Sequence, residues 1–447
     1  MNATIHVLAA ILTVGPSEEF KSVQAAADIA APGDEVVISA GVYREWVKPR
    51  NGGVEGRPIV YRAKDGERVE ITGADVVKGW TALGGGEWTI ELDYANFGDG
   101  FNPFTDNLCG SWFDGNGLVH PRTALIFNGR RLGDGERRFE AGEGKGRIVA
   151  RFPSDPDEGT AELVVRPAAF YPVEEGRDFI TLRGIVFRDA APNWAPPTGE
   201  QVGIVGTHWS RGWIVEECEI SGSPASGITL GKYGDEFDGF SDDSQDFTAT
   251  VERAAGHGLD RVGHHTVRRC RIHHCGQAGI CGSLGAVFSA IEENDIGFCH
   301  WGEKFGGFEM AGIKIHGAVG MTIAGNTIHH CGGRFGGIWL DWMAQDATIS
   351  GNLMYANGNE LYFEVCHGPI LVKGNRLLSG KDINLAGTSN ATFIDNVITD
   401  AIYTRGDERR TPLFKTGTCE IAILEKPCEN RHNRFENNIF YFRKKHD

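Results

Sequence analysis

Residues 326 to 398 read NTIHHCGGRFGGIWLDWMAQDATISGNLMYANGNELYFEVCHGPILVKGNRLLSGKDINLAGTSNATFIDNVI, and two patterns recur in this run. The first is Asn, any residue, then an apolar one: Asn326-Thr327-Ile328, Asn352-Leu353-Met354, Asn375-Arg376-Leu377 and Asn396-Val397-Ile398. It extends outward to Asn294-Asp295-Ile296 and Asn438-Ile439-Phe440, while Cys218-Glu219-Ile220 and Cys270-Arg271-Ile272 keep the register with Cys in place of Asn. From Asn294 to Asn396 the spacings are 32, 26, 23 and 21 residues. Such intervals are too irregular for a helical solenoid and natural for coils of three short strands joined by variable loops. The expected fold is therefore all-β, a right-handed parallel β-helix in which inward Asn side chains of successive coils bond in a ladder.

The rest of the chain is read against that repeat. The apolar run Ile5 to Gly15 lacks a preceding Lys or Arg and a convincing cleavage site, so it reads as a first strand rather than a signal peptide. Phe20 to Ala31 carries apolar residues at Val23, Ala26, Ala27 and Ala30, which predicts an amphipathic helix capping the open end of the solenoid. Strands are expected at Glu35 to Ser39, Pro58 to Arg62 and Val69 to Thr72. Between Val77 and Pro172 the ladder lapses into short alternating runs separated by Gly84-Gly85-Gly86 and Asp155-Pro156-Asp157, which predicts an inserted β-sandwich-like domain. The expected division is 1–76 for the first coils and cap, 77–172 for the insertion and 173–447 for the main β-helix. The Asp-rich excursion from Gly234 to Gly263 reads as a long loop.

Composition narrows the partners. Acidic residues outnumber basic ones 60 to 44, a net charge of -16, so nucleic acid and anionic membranes are repelled. No stretch reaches the ~18 apolar residues of a membrane helix. The 62 glycines, roughly double the ordinary usage, show no G-X-Y period and point to many tight turns. The 10 cysteines fall mostly at repeat-like positions, and free buried thiols in a cytoplasmic protein are the expectation. Cys275, Cys299 and Cys331 each follow a ladder position by five residues and should stack. Zinc is the alternative there, because His273, His274, His329 and His330 lie beside them, but CxxC pairs are missing.

The second pattern in the quoted run carries chemistry. Gly312-Ile313-Lys314-Ile315-His316, Gly337-Ile338-Trp339-Leu340-Asp341, Glu360-Leu361-Tyr362-Phe363-Glu364 and Asp382-Ile383-Asn384-Leu385-Ala386 align as one strand position on four coils. Side chains alternate, so Ile313, Ile338, Leu361 and Ile383 face the core while Lys314, Trp339, Tyr362 and Asn384 face outward, with His316, Asp341 and Glu364. Asp341 and Glu364 then share an outward column on strands ~4.8 Å apart. Like charges in register are unfavourable, so a functional carboxylate pair explains them better than a solvated sheet face. The spacing approaches the ~5 to 5.5 Å between the two carboxylates of a retaining glycosidase. Glu309 approaches the same groove, His316 can orient a carboxylate or a sugar hydroxyl, and Trp339, Trp342, Tyr362 and Trp194 offer faces for sugar stacking.

The runs Phe308 to His316 (FEMAGIKIH), Gly337 to Gln345 (GIWLDWMAQ) and Phe363 to Val372 (FEVCHGPILV) resemble blocks of the β-xylosidases of glycoside hydrolase family 120. Val42 to Pro49, Phe170 to Gly176, Trp194 to Thr198 and Ser210 to Val215 support the likeness. The resemblance implies a β-helix interrupted by a β-sandwich and a retaining double displacement on xylo-oligosaccharides; no metal or other cofactor is expected, because no ligand set in the groove has credible spacing. The resemblance makes Asp341 the nucleophile, Glu364 the general acid/base and Glu309 a further acidic residue at the sugar site, while Lys314, His316 and His367 match motif positions without an assigned role. Two departures stand out. Thr411 to Gly417 replaces a His-rich segment, which predicts an altered part of the pocket, and family members extend beyond the block ending at Phe440, which predicts a shortened homologue. The alternatives on the same fold are a polysaccharide lyase, which needs a calcium-binding acid cluster, and a non-catalytic carbohydrate-binding β-helix. The inserted sandwich offers surface for homo-oligomer formation.

Overall fold

In the computed structural model, residues 9–98, 100–238, 244–300, 302, 304–333, 336–379, 383–399 and 401–441 are described. Residues 5–8 of the first apolar run, 239–243 of the Asp-rich excursion and Asp382 lie outside them. Three parallel sheets of twelve, eleven and eight strands run along the molecule. Each pairs strands from successive coils, as in Thr322–Ala324 with Ala347–Ser350 and Ile370–Lys373. The inward positions form one continuous core that includes Ile313, Ile338, Leu361 and Ile383 with Ile315, Leu340, Phe363 and Leu385.

The Asn ladder is present rung by rung. Oδ1 of Asn326, Asn352, Asn375, Asn396 and Asn438 each accepts the backbone N–H and the side-chain amide of the preceding ladder residue, at 2.8–3.0 Å. Each Nδ2 also donates to a carbonyl of the coil before, for example Asn352 to Ile323. Cys270 N–H caps the row on Asn294 Oδ1. From Asn294 to Asn438 the buried turn polar groups of each coil are satisfied by one repeated side chain, which is why this part of the column tolerates little else. Cys275, Cys299 and Cys331 are buried in the core as expected. The neighbouring histidines turn elsewhere: His273 bonds Glu219, and His329 bonds Asp295.

Two elements differ from expectation. The capping helix, α1, spans only Val23–Ala27 with Ser22 as its N-cap, because Asp34 ties down the following turn through the Ala31 and Ala10 N–H groups. The Asp-rich excursion holds a helix, α2 (Ser244–Gly256), rather than a loop; Phe247, Val251 and Ala254 form its buried stripe. Within the insertion, two four-stranded antiparallel sheets pack around Trp80, Phe104, Phe127, Ile148 and Phe152. Among the described residues no helix is long and apolar enough to cross a membrane.

Candidate active site

The strands Ala311–His316, Ile338–Asp341, Leu361–Glu364 and Ile383–Ala386 are neighbours in the eight-stranded sheet. Lys314 pairs with Trp339 and Trp339 with Tyr362; His316 pairs with Asp341 and Asp341 with Glu364. This is the register that the alternation predicts. The outward column is nevertheless not an open face: Lys314, His316, Trp339, Asp341 and Tyr362 are all at most 4% exposed. Segments remote in sequence cover it. The insertion contributes Trp112, α2 contributes Phe247 and the chain before Arg410 contributes Arg409. With Phe308, Glu309 and Trp342 at the sides and His316, Trp339, Asp341 and Glu364 beneath, they enclose a cleft of about 470 Å³.

Lys314 is the centre of the charge network. Its Nζ lies 2.6 Å from Asp341 Oδ2, 3.4 Å from Glu309 Oε2 and 3.1 Å from His316 Nδ1, with the Trp339 ring centroid 3.7 Å away. Burial, with Lys314 and Arg409 adding positive charge, holds His316 well below the ordinary imidazole range. A neutral His316 therefore accepts from Lys314 at Nδ1, and its Nε2 lies 3.2 Å from Asp341 Oδ2. Asp341 Oδ2 is thus held by Lys314, with His316 beside it, while its Oδ1 makes no hydrogen bond. Burial raises the carboxyl of Asp341; Lys314 opposes this, and Glu364 and Glu309 add to it. Glu309 is likewise raised by burial against Lys314, with Glu364 adding. Two buried carboxyls compete for one ammonium, and the shorter contact assigns it to Asp341.

Glu364 is held from the other side. Arg409 bonds its Oε1 and is itself anchored on Asp407 at 2.7 Å. Arg405 donates to the Tyr362 hydroxyl at 2.8 Å and stands 3.8 Å from the same Glu364 oxygen. Glu309, His316 and Asp341 form the one group among the described residues with donor atoms close enough for a metal, all within 4.8 Å. The Lys314 ammonium touches all three and supplies the positive charge there.

A family model described as a right-handed β-helix region matches residues 202–441. The solved complex of XylC with xylose has a TM-score of 0.91 and 32% identity, covering 97% of this chain and 76% of that one. The chain belongs to glycoside hydrolase family 120. Two more distant structures match at 12% identity and a TM-score of 0.41: a family 136 lacto-N-biosidase from Eubacterium ramulus, with 97% and 68% of the chains covered, and a mannuronic acid specific family 6 polysaccharide lyase from human gut microbiota, with 97% and 82%. No curated protein sequence matches.

On this family-120 chain, the residues expected at the site divide in two. Asp341, Glu364, Glu309, His316, Trp339 and Trp342 line the cleft, with Lys314 beneath them and Tyr362 bonded to Arg405. His367 and Trp194 do not line it. His367 Nε2 faces the Thr411 hydroxyl at 2.8 Å and so docks the hairpin of Arg410–Phe414 and Ile421–Pro427. Trp194 packs on Phe113 and Phe305 and lines a separate cavity. Trp112, Phe247, Phe308 and Arg409 are cleft residues that the repeat does not reveal. Only Phe247 left a signal, the i, i+4, i+7 stripe of α2.

Proposed function

We propose that this protein is a retaining, exo-acting β-xylosidase that releases xylose from short xylo-oligosaccharides. The observation that carries the reading is the in-register pair Asp341 and Glu364 on adjacent strands, at the floor of a cleft walled by Trp112, Phe247, Phe308 and Arg409. Neighbouring strands are ~4.8 Å apart, close to the ~5 to 5.5 Å that lets one carboxylate attack while the other serves the leaving group. The likeness to XylC, solved with xylose, supports the choice of sugar. A cleft of about 470 Å³ suits one terminal sugar and the start of the next.

Asp341 Oδ1 attacks the anomeric carbon, forming a glycosyl ester as the C–O bond to the leaving sugar breaks. Glu364 gives its proton to that departing oxygen. Glu364 then takes a proton from water, whose oxygen displaces Asp341 and regenerates both groups. Lys314 holds Asp341 Oδ2, with His316 beside it, and Oδ1 is left for the attack. Glu309, its carboxyl raised by burial against the pull of Lys314, faces the cleft where it can bond a sugar hydroxyl. The Lys314 ammonium sits among Glu309, His316 and Asp341, the one group of metal-type donors among the described residues, so turnover should survive EDTA. Free thiols throughout the chain favour a reducing compartment, and the cytoplasm is the proposed location.

The deciding experiment is NMR of hydrolysis of an aryl β-xyloside together with two variants. The first-formed sugar should be the β-anomer. Asp341→Asn should lose activity on every substrate by about 10⁴-fold or more, whereas Glu364→Gln should harm poor leaving groups far more than activated ones. Initial release of the α-anomer, or near-full activity of Asp341→Asn, overturns the assignment.

A further inference from the structure

A second enclosed space, of about 370 Å³, lies on the same sheet face toward the first coils. The parallel bridges Val47 to Phe170 and Phe170 to Val205 prolong the eight-stranded sheet, because Val205–Gly206 is its first strand. Tyr171 therefore stands in the same outward column that passes through Gly206, Thr229 and Cys281 to Lys314. Four strand steps separate Tyr171 from Lys314, roughly 19 Å at ~4.8 Å each. Between the two, residues 194–197 are strapped across the sheet. Ala195 N–H bonds Gln277, Ala195 C=O accepts from Gln277 and the Cys281 thiol, and Ser283 bonds the Pro197 carbonyl. The Trp194 ring closes the second cavity, so this space is no extension of the catalytic cleft.

Its walls are flat and fixed. Trp46 Nε1 donates to the Tyr171 carbonyl at 2.9 Å, and Trp194 Nε1 to the Ser111 carbonyl at 3.0 Å. The Tyr171 ring lies on Gly206, where a Cβ would come within 2.6 Å of it, and its hydroxyl bonds Glu200 Oε1 at 2.8 Å. Arg122 is locked by two hydrogen bonds, 2.9 and 2.7 Å, to the Ala191 carbonyl. Glu200 keeps 36% of its side chain exposed, and Val173 is 59% exposed among the lining residues. Trp46 is half-buried and offers apolar surface to the C–H face of a pyranose, with the buried Tyr171 and Trp194 behind the wall, and a planar carboxylate and guanidinium accept from and donate to its vicinal hydroxyls. Glu200 and Arg122 are the charged lining residues, one acid and one base, and the Lys48 ammonium lies 4.2 Å over the Trp46 ring; with no excess of acid or strong cluster of bases, the wall suits a neutral ligand. Because these groups are held by the protein itself, little ordering is lost on binding.

We propose that this cavity is a second saccharide site, which takes one or two units of a neutral oligosaccharide apart from the site of hydrolysis. It goes beyond the catalytic reading, and its test is independent of turnover. Calorimetric titration of Asp341→Asn with xylotetraose, and separately with cellotetraose, should find two binding events for at least one of them. Val173→Arg, a change at an exposed position, should remove one event and leave the other; Trp46→Ala should weaken that same event tenfold or more. In the otherwise unaltered protein, Val173→Arg should leave kcat and KM for an aryl β-xyloside unchanged. A single event that neither variant alters overturns the second site, even in an active xylosidase. An inactive protein that still loses an event in Val173→Arg keeps the second site and loses the catalytic reading instead.

Discussion

Lys314 sets the acid–base behaviour of the cleft, because its one positive charge serves both Asp341 and Glu309. Burial raises the Asp341 carboxyl, with Lys314 pulling the other way. An attacking carboxylate must be ionised, so kcat/KM should fall with decreasing pH at an acidic limb above the ordinary carboxylate range. Removing the ammonium removes the pull toward ionisation. In Lys314→Met the limb should move to still higher pH, and at pH 6 the loss should be about tenfold for each unit of displacement, since one unit is ~1.4 kcal/mol. A pH series of kcat/KM with an activated aryl xyloside measures this. A limb that stays in place in Lys314→Met contradicts the role given to the ammonium.

At the scale of the element, the ladder is where sequence speaks most directly. From Asn294 onward the column keeps one residue type, because each rung must satisfy the same backbone and side-chain groups of the coil before it. Asn352→Ala would leave the Asn326 N–H, one Asn326 amide hydrogen and the Ile323 carbonyl without these partners, while Asn375 Oδ1 keeps the backbone N–H of residue 352. At ~1 to 3 kcal/mol per orphaned buried group, and with incomplete additivity, the expected destabilisation is about 3 kcal/mol or more. Asn438→Ala, on a half-buried terminal rung, should lower stability by about 1 kcal/mol. Urea midpoints of the two variants test the contrast; equal shifts contradict it. Strand alternation made the cleft floor legible for the same reason, since the register of Lys314, Asp341 and Glu364 follows from period 2. The covering elements carry no repeat. The helix α2 was hidden by polar residues around its Phe247, Val251 and Ala254 stripe. Arg409 reaches Glu364 only because Gln345 and His367 dock the hairpin that follows it, a long-range packing outcome with no local signature. His367 and Trp194 show the converse: motif residues whose contacts are with the cover rather than with the cleft.

Across the whole molecule, the site is completed where the insertion is stapled to the solenoid. Gly306–Gly307 pairs antiparallel with Phe113–Asp114, and Phe308 N–H bonds the Trp112 carbonyl. This short pairing seats Trp112 from the insertion beside Phe308 and Glu309 from the coil loop, so both walls of the cleft depend on it. Gly307 makes it possible: its φ is +129°, and a Cβ there would lie 2.5 Å from the Trp112 carbonyl oxygen and 3.2 Å from the Trp194 ring. Neither the backbone conformation nor the space admits a side chain. The stacked sheets, by contrast, make no use of this contact, since their ladder and core lie on the inner side of the coils. Gly307→Ala should therefore push the Trp112 loop away, lower kcat/KM by about tenfold or more, and leave the far-ultraviolet circular dichroism of the β-helix unchanged. Full activity in that variant would mean that the insertion is a neighbour of the cleft and not one of its walls.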